Sequence, residues 1–158
     1  MAARSRYIII LVDTTVWIDF FAARSLPHVA VLEDLIEYRE DICTCGIILT
    51  EVLQGVRKDA EFKKTRDLFK TMIWFPMPYT VFLRSAEIYR KLRKKGITIR
   101  KPLDCMIAST AIENDIPLLH NDKDFQPIEK HCCLKVLSSN KKITTKCKRS
   151  NLSDLTVV

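Results

Sequence analysis

At 158 residues, with 47% hydrophobic and 28% charged side chains, the chain has the length of one domain and enough apolar groups to bury a core. That balance excludes a disordered polymer, and no apolar run is long enough to cross a bilayer. The formal net charge of +7 suits an anionic partner but says nothing of fold.

Tyr-Ile-Ile-Ile-Leu-Val at 7–12 is a β-branched run of the kind found in a strand buried on both faces of a parallel sheet. Arg4 and Arg6 precede it, yet Asp13 interrupts it far short of a secretory h-region. Thr14 and Thr15 open a helix in which Val16, Trp17, Phe20 and Phe21 share a face. Pro27 opens a second helix that carries Val31, Leu32, Leu35 and Ile36 and runs to Glu40. Ile42–Cys45 reads as a short strand, and the segment after Gly46 as a helix ending near Gly55, with Glu51 inside it.

Ala60–Met72 is an amphipathic helix, Trp74–Met77 an extended piece, and Thr80–Lys95 a helix closed by Gly96 and basic at its end. Pro102 opens a helix to Glu113 with Asp104 in its first turn and Met106, Ile107, Thr110 and Ala111 on its buried face. Pro117–His120 is a strand followed by the polar cluster Asn121–Asp124, and Leu134–Leu137 is the last strand. From Lys141 onward five basic residues stand against Asp154 alone. This places one domain over 1–140 and a flexible basic tail over 141–158. The six cysteines lack C-x-x-C and zinc spacing and read as reduced thiols of a cytoplasmic protein.

Strands alternating with helices imply right-handed crossovers, a parallel sheet of about five strands and helices on both its faces. Ligands of such sheets bind beyond the carboxyl ends of the strands, where Asp13 and Asp122 fall and over which the Asp104 helix can start. Carboxylates gathered there repel one another unless a cation joins them. Mg²⁺ and Mn²⁺ prefer oxygen ligands and commonly bind through a few carboxylates plus substrate phosphate, a combination suited to phosphodiester hydrolysis. Taken singly, each acid has a plainer use. Asp13 serves as an N-cap, Asp104 as a charge at a helix start, Asp122 and Asp124 as turn formers, and Glu51 as a solvent-facing residue.

Four segments in order, L-V-D-T-T-V-W-I-D-F-F at 11–21, I-L-T-E-V-L-Q-G at 48–55, R-K-P-L-D-C-M-I-A-S-T-A-I-E at 100–113 and P-L-L-H-N-D-K-D-F at 117–125, resemble the motifs of PIN-domain ribonucleases of the VapC toxin type. The resemblance covers about residues 6–138. It implies a three-layer PIN-like α/β fold and an acidic site of Asp13, Glu51, Asp104 and Asp122, with Asp13 and Asp104 as direct metal ligands and Thr14, Asn121 and Asp124 in support. It further implies a Mg²⁺-dependent endoribonuclease, with Mn²⁺ also effective, that cuts structured RNA such as transfer or ribosomal RNA, forms a homodimer and is restrained by a cognate antitoxin. Lys94, Lys95, Arg100 and Lys101 are the candidate RNA contacts, in a run that also reads as a solvated helix end. The competing reading is a catalytically inactive RNA- or antitoxin-binding module. A receiver domain and a haloacid-dehalogenase-type phosphatase share the sheet and the Mg²⁺, but the latter needs a second Asp where Thr15 stands.

Overall fold

The computed structural model describes residues 8–146. The apolar run becomes β1 (Ile10–Val12), buried at every position. Since successive strand residues face opposite sides of a sheet, both faces of the sheet are covered at β1. Tyr7, where the strand was expected to begin, lies outside the described residues. From β1 the chain passes through α1 (Thr14–Phe21) and α2 (Pro27–Glu37) to β2 (Ile42–Thr44), and then through α3 (Gly46–Gln54) and α4 (Asp59–Lys70) to β3 (Ile73–Trp74). It continues with α5 (Tyr79–Lys94), α6 (Pro102–Glu113), β4 (Leu118–Leu119), α7 (Phe125–Cys132), β5 (Val136–Leu137) and β6 (Ile143–Thr144).

The sheet order is β3-β2-β1-β4-β5-β6. All neighbouring pairs are parallel except β5 with β6. The chain builds outward from β1 through β2 to β3 and then returns to lay β4 on the other side of β1. The crevice where strand order reverses therefore opens at the carboxyl ends of β1 and β4, the usual place for a ligand in an open α/β sheet. Trp17, Phe125, Leu11, Leu118, Ile107 and Ile128 are among the largest fully buried side chains of the core. Gly96 closes α5 at φ +74°, a conformation that a Cβ would strain.

Several elements differ from the sequence reading. The extended piece is a true edge strand, with Ile73 paired to Cys43 and Trp74 to Thr44. A helix not foreseen, α7, carries Pro127 in its first turn, where a missing N–H costs nothing. The α6 helix buries nearly its whole circumference, including Cys105, Ala108 and Ser109, while Met106 is only partly covered.

The expected start of a flexible tail at 141 needs correction. Lys142–Thr144 folds back along β5, with Ser138 N–H donating to Lys142 C=O at 2.9 Å. Glu129, only 6% exposed, accepts hydrogen bonds from Thr144 Oγ1 and Lys146 Nζ, both at 3.1 Å. The segment lacks periodic apolar residues, and what holds it is main-chain pairing and one buried acid. Residues 147–158 lie outside the described residues. Cys43, Cys45, Cys105 and Cys132 are free thiols, whereas Cys133 is disulfide-bonded, so the reading of all the cysteines as reduced does not hold for it.

Truncation after Asn140 should strand the Glu129 carboxylate and cost about 1–3 kcal/mol, a fall of several degrees in melting temperature. Adding Glu129→Gln to the truncated protein should recover part of that loss. Calorimetry of the three proteins checks it, and an unchanged melting temperature on truncation would show that the hairpin contributes nothing.

Candidate active site

The site is built where β1 and β4 end side by side. The N–H of Asp13 donates to Leu119 C=O at 2.9 Å, extending the β1–β4 pairing by one residue. Asp13 then caps α1, its Oδ2 accepting from Thr15 N–H at 3.0 Å and from the Thr15 hydroxyl at 2.6 Å. Thus the N-cap role and the site role fall on the same side chain. Asp13 is 2% exposed. That burial, aided by the charge of Glu51 and opposed by the Thr15 hydrogen bonds, pushes its carboxyl up to about 6.

Asp104 arrives from the opposite direction, in the first turn of α6 with Pro102 at the helix start. A helix N-terminus favours a carboxylate there, yet burial and then the charges of Asp13 and Asp122 push its carboxyl up to about 7, with Lys101 opposing. Asp104 is 5% exposed, and its Oδ2 is fully buried with no hydrogen-bond partner. An orphaned carboxylate oxygen facing other acids calls for a cation.

Glu51 enters from α3, half-buried, and accepts the Thr14 hydroxyl at 2.7 Å. Asp122 follows β4, and its Oδ1 accepts from Asp124 N–H at 3.0 Å and lies 3.5 Å from Arg100 Nη2. Asp13, Thr14, Glu51, Lys101, Asp104 and Asp122 line one cleft of about 130 Å³, together with Thr15, Ile18 and Gln54. The structure therefore brings together all four acids singled out from the sequence.

The remaining candidates divide. Asn121 N–H donates to Thr15 Oγ1 at 3.1 Å, and its side-chain amide donates to Asp19 Oδ2 at 3.2 Å. Asp124 is bound to Arg100, whose Nε lies 3.1 Å from Oδ2 and 3.3 Å from Oδ1 and whose backbone N–H donates to Oδ2 at 3.3 Å. Arg100 is thereby paired with acids, while its side chain stays 60% exposed. Lys94 and Lys95 border a separate shallow depression with Glu87, Arg90 and Lys91, and Lys101 alone of the four proposed RNA contacts lines the acidic cleft. His120 ends β4, accepts Asp122 N–H on Nδ1 at 3.2 Å and packs on Phe125. Burial lowers its pKa.

One polar centre was not anticipated. Asp19, 4% exposed in α1, pairs with His28 Nε2 at 2.6 Å and Arg24 Nη1 at 2.7 Å and also holds Asn121. Its carboxyl is kept below the ordinary value by these partners against the desolvation that would raise it. An acid inside the apolar run Trp-Ile-Asp-Phe-Phe was the available signal, since a buried charge requires partners.

Among the described residues no three His, Cys, Asp or Glu side chains close around one point as a complete protein cage. Mg²⁺ seldom uses such a cage. It keeps several waters and binds through one or two carboxylates plus phosphate. The buried pair Asp13 and Asp104, with the orphaned Oδ2, fits that manner of binding.

The PIN domain family model matches residues 10–130. Ribonuclease VapC11 of Mycobacterium tuberculosis is 33% identical over 121 residues, spanning 75% of this chain and 90% of that protein. Ribonuclease VapC1 of Methanocaldococcus jannaschii is 30% identical over 126 residues, 76% and 81% of the two chains. In fold, the chain resembles a chain of the VapBC-1 structure from nontypeable Haemophilus influenzae, with TM-score 0.65, 20% identity and coverage of 85% of this chain and 100% of that one. The chain belongs to the PIN-domain family and, within it, to the group of the VapC ribonucleases.

The raised acids set a pH dependence. Asp13 and Asp104 have folded values of about 6 and about 7 against the ordinary 3.8 of a free aspartate, so between these limits the folded state binds more protons than the unfolded one. Their contribution to stability is present at low pH and is lost as pH rises through 6–7. In EDTA, Asp104→Asn should therefore melt higher than the unaltered protein by the equivalent of about 1–2 kcal/mol at pH 8, and by much less at pH 5. Calorimetry at the two pH values measures this. A stability loss at both would assign Asp104 to the helix start alone.

Proposed function

We propose that this protein is a metal-dependent endoribonuclease, the toxin of a toxin–antitoxin pair, that hydrolyses phosphodiester bonds in structured RNA such as transfer or ribosomal RNA. The observation that carries the reading is the buried, unpartnered Oδ2 of Asp104 set in one cleft with Asp13, Glu51 and Asp122. A bound Mg²⁺, or Mn²⁺ in its place, would supply an activated water and charge compensation for the scissile phosphate. Asp13 and Asp104 would hold it. Glu51, fixed by Thr14, and Asp122, fixed by the Asp124 N–H, would offer further carboxylate oxygens to the same site. Lys101, on the rim of the same cleft, can pair with a substrate phosphate and so bring the anionic strand against an otherwise acidic surface.

The ribonuclease activity named for the relatives supports the substrate class. The likeness in fold to a chain of the VapBC-1 structure is consistent with a cognate antitoxin as partner, and a homodimeric, cytoplasmic toxin is part of the same proposal. No described helix is long and apolar enough to cross a membrane.

Purified protein incubated with total RNA and Mg²⁺ should yield discrete fragments bearing 5′-phosphates, because water rather than the ribose 2′-hydroxyl attacks. EDTA should abolish the reaction, and 2′,3′-cyclic phosphate ends would refute the mechanism. Asp13→Asn and Asp104→Asn should each lower turnover by at least about 100-fold, since an amide cannot replace the charge that holds the ion. RNA binding without cleavage by the unaltered protein would instead favour the inactive binding module.

A further inference from the structure

The acids of the cleft are not equivalent, and the difference lies in Arg100. On one side, Asp122 and Asp124 share a single guanidinium. Nε contacts both oxygens of Asp124 at 3.1 and 3.3 Å, Nη2 reaches Asp122 Oδ1 at 3.5 Å, and the Arg100 backbone N–H adds a second donor to Asp124. On the other side, Asp104 has a fully buried oxygen without any donor, and among the described residues neither Asp13 nor Asp104 forms an ion pair, Lys101 acting on Asp104 only from longer range. One half of the acidic cluster thus carries its own cation, and the other half lacks one.

We propose that Arg100 is a positioning residue that takes the place of a second metal ion at Asp122 and Asp124, so that the site binds one divalent cation, on the Asp13–Asp104 side. This rests on the reading of the cleft as a metal site. Two features favour a fixed arginine over a second exchangeable ion. The planar fork matches carboxylate geometry and stays charged at any working pH. Arg100 also stands two residues before Pro102, which starts the helix carrying Asp104, so its grip on Asp124 ties the approach to α6 to the loop after β4. The same cation therefore lowers the repulsion between the acids and sets the spacing between the start of α6, which carries Asp104, and the loop that carries Asp122. A second divalent ion at Asp122 would meet the guanidinium at the same oxygen atom.

Mn²⁺ binding by the full chain, followed by electron paramagnetic resonance and calorimetric titration at pH 8, tests the assignment. The unaltered protein and Arg100→Lys should each bind one Mn²⁺ per chain, whereas Arg100→Ala should bind two. In EDTA, Arg100→Ala should melt below the unaltered protein, and saturating Mn²⁺ should close most of that gap. Circular dichroism reports whether each variant is folded. Two ions in the unaltered protein, or one in both it and Arg100→Ala, would overturn the role of Arg100 while leaving the metal site intact. No Mn²⁺ bound by any of the three would overturn the metal site and this proposal together.

Discussion

The structure depends on keeping carboxylates close together where the sheet changes direction. Asp13 and Asp104 sit almost fully buried, burial pushing both toward the protonated form, with Glu51 adding to it at Asp13 and Asp13 and Asp122 at Asp104, and such an arrangement opposes folding unless the surroundings compensate. The compensation is graded. Asp13 receives two hydrogen bonds from Thr15, Glu51 receives one from Thr14, and Asp122 and Asp124 receive a guanidinium. Asp104 receives least, and its free oxygen is where an added positive charge gains most. Under the proposed function, stability is given up at the position where binding of a cation would recover it.

The rigidity needed for this comes from short elements. Among the described residues no strand exceeds three residues, so main-chain pairing alone would be a weak frame. What fixes the carboxyl edge is side-chain packing beneath it, with Trp17, Leu11, Leu118 and Phe125 completely enclosed, together with polar ties above it. Asp19 is the strongest of those ties. By holding His28 from α2 and Asn121 from the loop after β4, it joins three segments that the core touches separately.

Much of this was legible in the chain itself. The β-branched run before Asp13, the prolines opening α2 and α6 and the glycine closing α5 act through local chemistry that context does not override. The four acids were found because each stood at a strand end, at a helix start or within an apolar stretch. Other features depended on partners far away in sequence. Ile73 and Trp74 become a strand only because Cys43 and Thr44 offer an open edge, and 143–144 is ordered by β5 and Glu129 rather than by any periodicity of its own. The helix α7 did leave a trace, with Phe125, Ile128, Glu129 and Cys132 at helical spacing, but it was obscured by the turn-forming residues before it. Arg100 looked like one more member of a basic run, and only the distances to Asp122 and Asp124 separate it from Lys94 and Lys95.

Thr15 gives the site a fixed direction. Its hydroxyl stands between the Asn121 N–H, 3.1 Å away, and Asp13 Oδ2, 2.6 Å away. A backbone N–H can only donate, so the hydroxyl must accept there and spend its single proton on Asp13. Oδ2 is thereby an acceptor in every protonation state of the site. When Asp13 takes up a proton, Oδ1 is the oxygen left to carry it, and the same atom must give that proton up before a cation can use it. In the proposed metal site, proton and cation would therefore compete for one atom, chosen by a threonine whose hydroxyl reaches only the other oxygen.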